Sequence, residues 1–101
     1  MEFKIIKNPS KATLDILLHR IHPADGSMPD RFDAVGLVQG RMIEMIVASD
    51  IAEKAVGVTV KDVHGSCPQN MIVLAIFGET SAVEDAMHKI KNEINNPPYA
   101  L

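Results

Sequence analysis

No strand follows the last amphipathic segment of this chain, and that absence constrains the fold more than any motif. From about Ser81 to Ile94, the residues Val83, Met87, Ile90 and Ile94 recur at helical spacing. Asn95-Asn96-Pro97-Pro98 then stops the helix. Ser81 and Glu84 stand at capping-box spacing and predict its start. Lys89 and Lys91 suit the negative end of its dipole. A second helix is predicted over about Arg41 to Val56, ended by Gly57, with small residues Ala48, Ala52 and Ala55 beside Met45 on its inner face. Ala34–Gln39, Val58–Val63 and Met71–Phe77 read as strands. The last is apolar throughout, which predicts cover on both faces. From Ala34 the order is strand, helix, strand, strand, helix. A βαββαβ sandwich needs one more strand, and it must come from upstream.

Ala12–His19 is the candidate, because Leu14, Ile16 and Leu18 alternate with Thr13 and Asp15. Residues 22–30 then read as a long irregular connection. Phe3–Lys7 looks like a further short strand, ended by Asn8-Pro9, with no obvious place in a four-stranded sheet. An apolar strand at a terminus must be paired, within the chain or by another subunit. The expected fold class is α+β: a circularly permuted, ferredoxin-like βαββαβ sandwich with an antiparallel four-stranded sheet and a short extra N-terminal strand. One domain is expected over residues 1–101, with a leader at 1–10 and a tail at 95–101.

At 101 residues the chain suffices for one core and not two. Its net charge of −3 is scattered, and no basic stripe points to nucleic acid. No run approaches the ~20 apolar residues of a membrane span, and the N-terminus lacks the apolar stretch of a signal peptide. A single cysteine and no export signal favour a reducing cytosol. No Ser-His-Asp or phosphate-loop pattern appears, and Asp15 and Asp33 lack an identified base partner, so an enzyme is not expected.

That cysteine, Cys67, sits in the loop Gly65-Ser66-Cys67-Pro68-Gln69 between two strands. Pro68 fixes its own φ and biases Cys67 toward an extended backbone, while Gly65 permits a close approach. One thiol makes no internal disulfide and holds no metal centre alone. Chemistry at Cys67 therefore requires copies of the chain to meet. His64 lies three residues upstream, but a two-ligand fragment is a weak signal for zinc. His64 also reads as a strand-end residue, His19 and His22 as strand-end or loop residues, and His88 as outward-facing. The plain alternative for Cys67 itself is an unused small residue.

Several stretches resemble the bacterial microcompartment shell (BMC) domain. They are Ala34-Val35-Gly36-Leu37-Val38, the helix carrying Ala48 to Ala55, Val58-Thr59-Val60, and Ile72 to Ala86 with its Gly78-Glu79 turn. Pro9 to Pro23 is similar to the upstream strand of the circularly permuted shell proteins. The resemblance covers about Phe3 to Ile94, and among permuted members the Cys67 loop most resembles the GrpU type, found with glycyl-radical enzymes. It implies a structural protein forming flat cyclic homo-hexamers that tile, with other shell proteins, into a shell in the bacterial cytoplasm. The shell would enclose a glycyl-radical enzyme system, and the loop Gly65–Gln69 would lie at the central pore of each hexamer. In other permuted members the N-terminal strand joins its copies in a small barrel capping the pore.

The resemblance also implies an iron–sulfur cluster bound through this loop in some members. The expected cofactor is a 4Fe-4S cluster, with Cys67 as the ligand and Gly65, Ser66, Pro68 and Gln69 around it. Thiolates are the preferred ligands of such clusters. A cubane has a threefold axis, so three alternating copies of Cys67 each suit one iron. The fourth iron lies on the axis and needs a further ligand. Backbone donors at Gly65 and Ser66 would tune the potential. Two alternatives stand: a shell hexamer whose pore holds no cluster, and a ferredoxin-like regulatory module binding a small metabolite between subunits.

Overall fold

The computed structural model describes residues 1–21, 28–65 and 71–101. Along them run β1 (Glu2–Lys7), α1 (Lys11–Arg20), β2 (Ala34–Arg41), α2 (Met42–Glu53), β3 (Val58–Val63), β4 (Met71–Gly78) and α3 (Thr80–Glu93). The strands make one antiparallel sheet in the order β1-β2-β4-β3. From β2 onward this is strand, helix, strand, strand, helix, and the sheet position that would follow α3 is filled by β1. The α+β class, the four-stranded sheet and the permuted element order all hold.

The missing strand does come from upstream, but it is Glu2–Lys7 rather than Ala12–His19. β1 pairs along its length with β2, from Glu2 opposite Gln39 to Lys7 opposite Ala34. It is therefore one of the four strands and no supplement to them. Its paired inner edge answers half of the edge-strand liability. Lys91, near the end of α3, lies 4.8 Å from the centroid of the Phe3 ring. The end of the last helix and the start of β1 are thus neighbours, as a permuted chain order requires.

Ala12–His19 is helical. Ser10 caps α1 by accepting from the Thr13 N–H at 3.2 Å. Asn8, at φ 49°, turns the chain out of β1, a conformation asparagine tolerates. Lys11 and Asp15 pair at 3.1 Å one turn apart. Leu14, Leu17 and Ile21 also satisfy helical spacing, and Leu17 and Ile21 are the residues that become buried. Ile16 and Leu18, which carried the apparent alternation, stay 60% and 51% exposed.

The sheet is covered on both faces, as the apolar run of β4 predicts. Alternate residues divide the core. Val38, Leu74 and Ile76 face α2 and α3, joining Met45, Ile51 and Ile90. Val35, Ala75 and Phe77 face the other way, toward Leu17 and Ile21. Phe32 meets Phe77 edge to face at 5.0 Å. Gly36 lets α3 lie close, because a Cβ there would stand 2.5 Å from the Met87 sulfur.

The predicted Ser81–Glu84 capping box does not form the start of α3. The helix begins at Thr80, and its Glu79 cap position makes no side-chain bond. The Asp33 carboxylate instead accepts from the Thr80 N–H at 2.6 Å and from the Thr80 hydroxyl at 3.1 Å. A remote acid thus satisfies an orphan donor and sits at the positive end of the helix. α2 starts with the Arg41 N–H bonded to Glu44 at 2.9 Å. Gly57, at φ 84°, turns the chain after it, as expected.

Candidate functional site at the β3–β4 connection

The predicted loop leaves the sheet from the end of β3 and returns at the start of β4. Val63 pairs with Val73, and Met71 pairs with Arg41 beside the start of α2. Gly65 is described. Ser66, Cys67, Pro68 and Gln69 lie outside the described residues, as does His22.

The outgoing stem is tied to α1. Ile21 bridges to Val63. The His64 N–H donates to the Arg20 carbonyl at 2.7 Å, and the Arg20 guanidinium reaches the His64 carbonyl at 3.4 Å. The His64 ring stands 3.4 Å from Asp62. A Cβ on Gly65 would lie 3.7 Å from the Arg20 guanidinium, an ordinary contact. A cation therefore stands beside the stem of the loop that carries the thiol. Arg20 escaped the sequence reading because it lies 44 residues from His64, and no local pattern joins them. His19 is on the last turn of α1, with Nδ1 2.8 Å from the Asp15 carbonyl. His88 is exposed on α3, as predicted.

A second polar cluster lies where the C-terminal residues cross α2. The Tyr99 hydroxyl donates to Asp50 at 2.6 Å, and Lys54 pairs with the same carboxylate at 2.7 Å. Lys54 also reaches the Tyr99 hydroxyl at 3.5 Å. The hydrogen bonds from Lys54 and then Tyr99 hold the Asp50 carboxyl below its usual range. The bond to Asp50, and then that to Tyr99, raises the ammonium of Lys54, and the bond to Asp50 raises the phenol of Tyr99 against a smaller downward pull from Lys54. Tyr99 lies 49 residues from Asp50, so no local sequence pattern joins this cluster. Among the described residues, no group of three or more His, Cys, Asp or Glu is arranged to hold a metal ion.

The BMC domain model matches residues 34–99, from the first residue of β2 to Tyr99. Two solved structures are similar to this chain over about nine-tenths of its length. The ligand-free GrpU microcompartment shell protein from Clostridiales bacterium 1_7_47FAA is 53% identical, with a TM-score of 0.68. That match covers 90% of this chain and 88% of that one. The ligand-free GrpU microcompartment shell protein from Pectobacterium wasabiae is 32% identical, with a TM-score of 0.72, over 89% of this chain and 99% of that one. No curated protein matches the chain. The matched domain, the permuted sheet and these two neighbours together show that this chain belongs to the BMC domain family, as a shell protein of the GrpU type.

Proposed function

We propose that the chain forms cyclic hexamers that tile into a microcompartment shell, with the Gly65–Gln69 loop at the central pore and Cys67 as a thiolate ligand of an iron–sulfur cluster. The observation that carries the shell role is 53% identity over nine-tenths of the chain to a GrpU shell protein. The role is structural rather than catalytic, and its place is in the shell with other shell proteins. No described helix is long and apolar enough to cross a membrane.

The donor chemistry fits the cluster. Cysteine thiolate is the soft ligand that iron–sulfur centres take. A cluster at a shared axis would draw its thiolates from Cys67 of several copies. Arg20 and His64 hold the stem of the loop through the two hydrogen bonds between them. The guanidinium adds positive charge beside the stem of a loop whose thiol would bind as a negative thiolate. When bound, the cluster supplies one-electron transfer across the shell, or is itself delivered through the pore.

Anaerobic purification followed by native mass, iron and sulfide analysis tests this reading. The expected result is a hexamer holding iron and acid-labile sulfide. Cys67→Ser should lose both while the hexamer persists, because serine keeps the size of the side chain and removes the soft ligand. A hexamer that takes up no iron after anaerobic reconstitution removes the cluster and leaves the shell role.

A further inference from the structure

The last turn of α1 and the end of β3 hold each other at several points. Ile21, which closes α1, bridges to Val63, and both belong to the apolar cluster around Leu17 and Phe77. The Arg20 carbonyl is one of the last four of the helix, which lack a partner within it. The His64 N–H supplies that partner at 2.7 Å. The Arg20 guanidinium doubles back on the His64 carbonyl at 3.4 Å. One residue of α1 thus grips both backbone polar groups of one residue in the loop stem.

The grip also brings a charge. Among the described residues, Arg20 makes no ion pair. Asp62, the carboxylate closest to the stem along the chain, stands with the His64 ring at 3.4 Å. Strand alternation turns Asp62 toward the groove beside α2, while its neighbour Val63 faces α1. A Cβ on Gly65 would lie 3.7 Å from the guanidinium. Two further residues of chain span at most ~7 Å, so the backbone of Cys67 is within about 12 Å of that charge.

We propose that Arg20 is the positioning residue of the Cys67 loop. It fixes the stem through His64 and holds a positive field at the thiol, so the loop favours a negatively charged occupant. A thiolate-ligated iron–sulfur core is such an occupant. The field belongs to the chain whether or not a cluster binds. Only the choice of occupant rests on the cluster reading above.

Alkylation of the chain's single cysteine reads the field on protein purified without iron. Iodoacetate is an anion and iodoacetamide is neutral. The thiolate attacks both, so the ratio of their rates cancels the thiolate fraction and reports the local potential. At low ionic strength the iodoacetate-to-iodoacetamide ratio should fall about two- to fourfold in Arg20→Gln. It should stay near wild type in Arg20→Lys, and in Lys11→Gln at the far end of α1. The drop should shrink in molar salt. A purely structural role changes both rates together, so an unmoved ratio in Arg20→Gln overturns the proposal. An equal drop in Arg20→Lys overturns the role of charge. In the iron-loaded protein, Arg20→Gln should shift the midpoint potential to more negative values, because a nearby cation favours the reduced cluster. Arg20→Lys should keep the wild-type potential. If wild type takes up no iron, the cluster reading falls and the alkylation ratio still decides the role of Arg20. Arg20 is exposed, so these variants should fold. Arg20→Met is measured in its place if Arg20→Gln does not.

Discussion

The helices on the two sides of the sheet are held in different ways. α3 buries Val83, Ala86, Met87 and Ile90, lies close to the sheet over Gly36, and is capped by a carboxylate from outside its own segment. α1, on the opposite face, buries only Leu17 within its length and leaves Ile16 and Leu18 largely exposed. It is fixed instead at its two ends, by Ser10 at the start and by the Arg20, Ile21 and His64 contacts at the finish. α3 therefore belongs to the core, whereas α1 is a strap whose anchored end meets the stem of the Cys67 loop. Opening costs little where few apolar contacts are lost.

Truncations at the two helices should separate these roles. Ile90 is completely buried, so Ile90→Ala should cost about 2–5 kcal/mol of global stability in denaturant unfolding. Leu17→Ala should free α1 alone. Its amides should exchange roughly 30-fold faster, for about 2 kcal/mol lost locally, while those of α3 keep their protection. Equal loss of protection in both helices would show that α1 is part of the core after all. The caps sharpen the contrast at smaller amplitude. Asp33→Ala should lower global stability by about 1–2 kcal/mol, and Ser10→Ala should speed exchange in α1 only, for about 0.5–1 kcal/mol.

The smallest effect concerns the C-terminal contact on α2. Asp50 has its folded value depressed, so its contribution is present above the ordinary carboxylate range and is lost as pH falls through the lowered value. Tyr99 and Lys54 have theirs raised, so their contribution is present below their ordinary values of 10.0 and 10.5 and is lost as pH rises through the raised ones. The contact should thus hold at neutral pH and release at both extremes. Tyr99 is the chain's one tyrosine, so its phenolate absorbance reads the alkaline limb directly. Asp50→Asn should move that titration back toward the ordinary tyrosine value, and an unmoved midpoint would show that the Tyr99–Asp50 bond does not persist in solution.

The same contrast explains what the sequence made legible. α3 was readable because its apolar residues follow one period, and β3 and β4 because turn signals bound short apolar runs. The α1 segment matches two periods at once. Leu14, Ile16 and Leu18 suit a strand, while Leu14, Leu17 and Ile21 suit a helix. The local cap at Ser10 and the Lys11–Asp15 pair accompany the helical outcome. β1 was recognised as a strand, but its place in the sheet depends on pairing with β2 some 30 residues away. Long-range contacts left no local trace either. Asp33 reaches Thr80 across 47 positions, and Tyr99 reaches Asp50 across 49. The loop at Gly65–Gln69 was legible as a motif, yet its tie to Arg20 was not.

Sedimentation equilibrium of the purified chain tests the central claim most directly. Closed association of six 11.0 kDa chains predicts a species of about 66 kDa at low salt. A particle of one or two chains across the accessible concentration range would contradict it.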